Sequence, residues 1–223
     1  MLQSRMQDNR SDRLDRAVEH LNKRFKRDEA APIAAFMRSF YARVADIDLA
    51  EFSVESLYGA ALSMWKFKAQ RRPGEASIRV YNPRIEEHGW KATHTIVEIV
   101  NDDMPFLVDS VTNGLNQWGY TVHLVIHPVV SVERGGDGSR LAVLNDGTDT
   151  DRDGVITESL MHIQIDEQSD PEVLETIRNR LLLVLDDVRL SVADWRDMLG
   201  HLDEVIEHLR DKQYPHEPEE IEE

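Results

Sequence analysis

The sequence predicts an α+β fold with a helical N-terminal leader, a sheet covered by helices on one face, and a long C-terminal helical segment. Two observations carry that reading. The apolar period is 3.6 up to about residue 72, falls to 2 from Ala76, and returns to 3.6 from Asp170. Between those changes the elements follow the order β-β-α-β-β-α, which makes an open sheet with helices packed on it. With 223 residues and 41% apolar content, the chain can bury a substantial core.

The first ten residues are polar and are expected to be unstructured (1–10). A leader of three helices is expected over 11–74. Leu14, Val18, Leu21 and Phe25 form the first stripe. Pro32 opens the second helix, with Ile33, Phe36, Met37, Phe40, Tyr41 and Val44 on one face, and Asp46-Ile47-Asp48 breaks it. The third helix opens near Ser53 and carries Leu57, Tyr58, Ala61, Leu62 and Trp65; Arg71-Arg72-Pro73-Gly74 ends it.

An α/β sheet region is expected over 75–169. Ala76 to Tyr81 is a short strand closed by Asn82-Pro83. Thr93 to Val100 is a strand rich in β-branched residues, and Asn101-Asp102-Asp103 stops it and supplies a carboxylate cap to a helix. Pro105 falls in that helix's first turn. Phe106, Leu107, Val111, Leu115 and Trp118 recur at helical spacing, and Gly119 ends the helix. Tyr120 to Val132 is the next strand, and the right-handed crossover makes it parallel to the strand before the helix. Residues 133–157 are loop-like, with a short hairpin arm at Leu141 to Leu144. Ser159 to Ile165 is a fourth strand, although Met161 breaks strict alternation. The arrangement is ferredoxin-like. Covering helices are expected over 170–212, with Asp170 as cap and Pro171 as first residue, then an acidic linker (213–223) that suggests the front of a longer protein.

The net charge of −16 argues against nucleic acid and anionic membranes as partners. No apolar run approaches the ~20 residues that span a bilayer. Cysteine is absent, which removes disulfides and thiolate chemistry and suits a cytoplasmic protein. No phosphate-binding loop, nucleophile elbow or dinucleotide fingerprint is present, so no catalytic and no cofactor-binding residues are assigned. Gly135-Gly136-Asp137-Gly138 reads as a hairpin turn. Asp149, Asp151 and Asp153, with Gly154, have calcium-loop spacing, but Leu160 stands where a bidentate Glu belongs and Arg152 sits inside; a solvated acidic connection is the competing reading. His123, His127 and His162 lie on strands without a carboxylate placed beside them, and read as satisfied or solvent-facing histidines rather than metal ligands.

The most specific feature is the turn Asn101, Asp102, Asp103, Met104, Pro105, Phe106, Leu107. Backbone N–H groups at a helix start attract a carboxylate, and Asp102 or Asp103 can receive an ammonium group, which together suit an amino acid. The competing reading is that Asp103 only caps the helix.

Asp103-Met104-Pro105-Phe106-Leu107 after a strand resembles the Asp-x-Pro-x-Leu signature of an ACT domain. Phe106 stands where that family usually has Gly, which narrows the space for a ligand against the backbone. The segments 57–83, 97–111, 123–134, 158–166 and 187–198 are similar to the N-terminal region of the large bacterial NAD-specific glutamate dehydrogenase. That resemblance covers most of residues 10–210. It implies a non-catalytic regulatory and assembly segment of an enzyme that converts L-glutamate to 2-oxoglutarate and ammonia. NAD then belongs to the full-length enzyme, and the partners are the remainder of the polypeptide, a homo-oligomer and an amino-acid effector near 101–107. The alternative is a pure protein–protein interaction module without a small ligand.

Overall fold

A computed structural model describes residues 2–144 and 154–211; side chains are described from Asp12 onward, except Trp195, Arg196 and Asp211. The leader holds four helices: α1 (Leu2–Asn22), α2 (Arg27–Phe40), α3 (Asp46–Glu51) and α4 (Val54–Phe67). The stretch expected to be unstructured over 1–10 enters α1 from Leu2; neither Pro nor Gly interrupts residues 2–22. Helix α2 begins at Arg27 rather than at Pro32, with Asp28 and Glu29 in its first turn against the helix dipole. Asp46-Ile47-Asp48 does not simply break the chain but starts α3, because carboxylates favour a helix's first turn. Helix α4 opens beside Ser53 as anticipated, and Ser53 caps it, its hydroxyl accepting from the Ser56 N–H at 3.1 Å.

The sheet contains β1 (Ser77–Tyr81), β2 (Thr95–Asp102), β3 (Val122–Ile126), β4 (Val129–Arg134), β5 (Arg140–Leu144) and β6 (Val155–Ile165), with the short helix α5 (Ile85–His88) between β1 and β2. Its order is β1-β2-β6-β4-β5, and β3 also pairs with β6; every pairing is antiparallel. Strands β3 and β4 lie end to end along one side of β6, opposite residues 162–165 and 155–159 respectively. They form the single strand expected over 120–132, interrupted at His127-Pro128 because proline brings no N–H to the ladder. Strand β2 and the β3–β4 pair are therefore parallel in direction, as anticipated, but β6 runs antiparallel between them, giving a split β-α-β unit. Helix α6 (Leu107–Gln117) is the crossover, and α7 (Pro171–Asp211) follows β6. Asp170 caps α7, its Oδ1 accepting from the Glu172 N–H at 2.9 Å.

Both faces of the sheet are covered. Helices α6 and α7 cover one, where Val97, Ile99, Met161, Ile163 and Ile165 meet Val111, Leu115, Ile177, Leu181 and Leu185. The leader covers the other, where Val100, Val132 and Leu160 meet Leu21, Phe36, Phe40, Leu57 and Met64. That explains why Met161 falls out of phase with Leu160: the two residues serve opposite cores.

Candidate functional site

The turn after β2 departs from its sequence-based reading in three respects. Asn101 and Asp102 belong to β2, where Asp102 pairs with Glu158, so they do not stop the strand. Asp103 does not cap the helix: α6 starts at Leu107, and the cap position is held by Phe106 with no side-chain cap bond. Pro105 lies before the helix rather than in its first turn. The reason is conformational. Phe106 takes φ 67°, a left-handed geometry among the non-glycine residues described only here, at the position directly before the helix. The position usually held by Gly in the resembling family is thus a position that favours Gly on backbone grounds.

Asp102 is committed elsewhere. Its Oδ1 accepts from Arg71 Nη2 at 2.6 Å, and its Oδ2 accepts from the Gly74 N–H at 2.7 Å. The Asp103 N–H donates to the Thr157 carbonyl at 3.0 Å, while its side chain is exposed. Asn101 is buried, and its Oδ1 accepts from Arg189 of α7 at 2.9 Å. Met104 packs against the α6–α7 core and Leu107 is buried in it. Phe106 is 52% exposed, and beside it lies a cavity of about 320 Å³ lined by Phe106, Ser110, Val184, Asp187, Val188 and Ser191. The seven residues therefore cluster at one corner of the sheet, where Asp103, Pro105 and Phe106 are exposed while the Asp102 carboxylate is already paired to Arg71.

Sequence reasoning missed the network behind that turn. Glu158 on β6 is fully buried; its Oε1 accepts from Arg71 Nε at 2.8 Å and from Arg134 Nε at 2.7 Å. Arg134 also donates to the Lys68 carbonyl at 3.0 Å and the Gly138 carbonyl at 2.7 Å. A second buried group, Glu98, accepts from Arg79 at 2.6 Å and lies 3.3 Å from His162 Nδ1. The signal was present in β6: Glu158, His162 and Gln164 fall on one face of a strand that is buried from Glu158 onward. A polar row inside a buried strand implies charged partners from another element.

The three histidines do not converge. His123 Nε2 sits 2.8 Å from Asp166 Oδ1, His127 Nε2 lies 2.6 Å from Ser159 Oγ, and His162 is buried beside Glu98. Burial, more than its charged neighbours, holds the His127 imidazole below its ordinary pKa. Among the described residues no group of three or more His, Cys, Asp or Glu could hold a metal ion. Asp149, Asp151 and Asp153 lie outside the described residues.

A split β-α-β sheet with a helix launched from a tight strand-end turn defines an ACT-like module. The chain belongs to the family described as "Glutamate dehydrogenase, ACT1 domain", which matches residues 36–181. A NAD-specific glutamate dehydrogenase of Halomonas elongata is 41% identical over 209 residues, or 94% of this chain and 13% of that relative. One of Pseudomonas aeruginosa is 35% identical over 183 residues, 82% of this chain and 11% of that relative. The chain thus spans only a small part of the length of the curated relatives it matches. No solved structure matches it.

Proposed function

We propose that this chain is the N-terminal regulatory and assembly segment of an NAD-dependent glutamate dehydrogenase. It does no chemistry itself, and it docks onto the remainder of its polypeptide and onto further copies of it. NAD and the oxidation of L-glutamate to 2-oxoglutarate and ammonia belong to the other parts of that enzyme. The observation that supports this reading is the distal half of α7. The helix has 41 residues, and its contacts with the sheet end near Val192. Beyond that point Met198, Leu199, Leu202, Val205, Ile206 and Leu209 are all exposed, at spacings that put them on one side of the helix. An apolar stripe of this length on a protein surface is a contact surface. No described helix is long and apolar enough to cross a membrane.

The test is a binding experiment by sedimentation between this chain and the separately produced remainder of the enzyme. The complex is expected to form and to be lost in the double variant Leu202→Asp, Ile206→Asp, whose monomer stability stays unchanged. A chain that remains monomeric and ignores the remainder overturns the proposal.

Amino-acid sensing at residues 101–107 is a second reading. The roughly 320 Å³ cavity beside Phe106 and Ser110 favours it. Arg71 already neutralises Asp102, so an ammonium group would have to use Asp103 or Asp187. Calorimetric titration with an amino-acid panel, glutamate and aspartate included, tests it; silence across the panel leaves docking alone.

A further inference from the structure

A second cavity opens on the leader's side of the sheet, where the end of α1 and helix α4 meet β1 and the short helix α5. It measures about 320 Å³, at the small end of the range for small-molecule sites. Four donors from separate parts of the chain line it: Arg24, Lys66, Arg79 and His88. Arg24 follows α1, in a run where four of the five residues 23–27 are basic. Lys66 sits in the last turn of α4. Both are exposed, Arg24 lying 5.3 Å from the centroid of the Tyr58 ring, and neither has a carboxylate partner among the described residues. In a chain where acidic residues outnumber Lys and Arg 42 to 26, two such cations on one cavity make a local excess of positive charge.

Arg79 is held in place. Its Nε donates to the buried Glu98 at 2.6 Å, and its Nη2 to the Ser63 hydroxyl at 2.7 Å and carbonyl at 3.0 Å. The guanidinium also lies 4.5 Å from the Phe67 ring centroid and 4.8 Å from that of Tyr81. Glu98 balances its charge. Yet Nη1 has no hydrogen-bond partner among the described residues and is not shut off from solvent, the side chain being 32% exposed. A guanidinium fixed on two sides with its third nitrogen open loses little freedom when it meets an acceptor. His88 is oriented as well. Its Nδ1 accepts from the Arg84 N–H at 3.1 Å, which puts the proton of the neutral ring on Nε2, and the ring stacks on Tyr81 at 4.7 Å. Exposed Glu87 is the single carboxylate among the described lining residues, and Phe25 and Leu62 supply an apolar wall.

We infer that this cavity binds a small phosphate monoester. The phosphate sits on Arg24, Lys66, the Nη1 of Arg79 and the Nε2–H of His88, and the organic part lies against Phe25 and Leu62. Three oxygens pointing in different directions suit donors that arrive from separate elements, and a charge near −2 matches the two cations that lack a carboxylate. The cavity shares no lining residue with the one beside Phe106 and none with α7. The inference therefore stands or falls separately from the docking and amino-acid readings above.

The test is calorimetric titration of the chain at low ionic strength with inorganic phosphate, phenyl phosphate, succinate and a hexaglutamate peptide. Phenyl phosphate is expected to bind more tightly than inorganic phosphate, because of the apolar wall, and more tightly than succinate, a dianion without the tetrahedral head. Arg24→Gln and Lys66→Gln, both at exposed positions, should keep the parent circular dichroism spectrum. Each should weaken phenyl phosphate by about tenfold or more, the usual effect of losing a bond between charged groups. Glu87→Gln should tighten it, and Phe106→Gly should leave it unchanged. Absence of heat with both phosphates, succinate binding as tightly as phenyl phosphate, or binding indifferent to Arg24, Lys66 and Glu87 would overturn the inference. Tighter binding of hexaglutamate would overturn it too, and would make the basic rim a seat for an acidic protein segment.

Discussion

Lys68 makes the sharpest stability prediction. It follows α4, its backbone N–H donating to the Met64 carbonyl at 3.0 Å, and its side chain is fully buried. Its Nζ has no hydrogen-bond partner and lies 3.9 Å from the centroid of the Phe36 ring and 5.2 Å from that of Trp65. Burial depresses its pKa most, Arg140 and Arg134 act in the same direction, and Glu158 opposes them; the result is about 6. In the unfolded chain the amine returns to about 10.4. Between those values the unfolded state holds more protons than the folded one, so stability must rise with pH. The slope for one proton is a little over 1 kcal/mol per pH unit, so this group adds roughly 3 kcal/mol between about pH 7 and pH 9. That window lies above the ordinary titration of the carboxylates and histidines and below that of the tyrosines, so few other groups obscure it. Lys68→Met keeps the stem's packing on Phe36 and Trp65 and removes the amine. Urea melts of parent and variant at pH 7, 8 and 9 should show the variant more stable at pH 7 by a few kcal/mol, with the gap closing as pH rises. Parallel lines for the two proteins would refute the reasoning, because they would mean that Lys68 folds charged and that Glu158 outweighs burial.

Three further outcomes follow from the geometry. Phe106→Gly should raise the melting temperature by relieving a left-handed backbone that costs a side chain roughly 1 kcal/mol, whereas Phe106→Ala should not; thermal melts followed by circular dichroism compare them. Glu158→Gln should cost about 3–5 kcal/mol in urea unfolding, since it strips the shared charge from two buried arginines, Arg71 and Arg134. Gly59→Ala should destabilise by about 1–3 kcal/mol and change the emission of Trp90, because the new methyl would overlap the indole's Cβ and Cγ at 2.2 and 2.4 Å.

The helices α4, α6 and α7 were legible because each carries a long apolar stripe at helical spacing, and β2 and β6 because β-branched residues cluster in them. What escaped was decided by tertiary contacts. Asp103 looked like a cap because it precedes an apolar run, but nothing local discloses that Phe106 will take a left-handed φ and move the helix start to Leu107. Asp102 looked available for a ligand because Arg71, 31 residues earlier, looked only like the end of a helix.

The burial of both sheet faces constrains how this module can act. A partner cannot stack on the sheet, since the leader fills one side and α6 with α7 the other. The leader is also fastened at its far end. Arg71 binds Glu158 and Asp102, its N–H donates to the Gly138 carbonyl, and the Ala69 carbonyl accepts from the Arg140 N–H at 2.9 Å. These bonds tie the end of α4 to the β4–β5 hairpin and to the 101–107 turn at once. Removing the leader to expose the sheet would take Arg71 away from the buried Glu158 and from Asp102, and the Lys68 carbonyl away from Arg134, a loss far larger than a surface contact returns. If the chain docks as proposed, the distal half of α7 and the corner around Phe106 are two surfaces that lie outside this clamp. Those two surfaces share one helix, because Val184, Val188 and Ser191 of α7 line the cavity at Phe106 and the exposed stripe begins about two turns further on, at Met198. A partner seated on the distal stripe and a ligand at the turn would thus meet through α7 itself, with Arg189 on Asn101 as the fixed point between them.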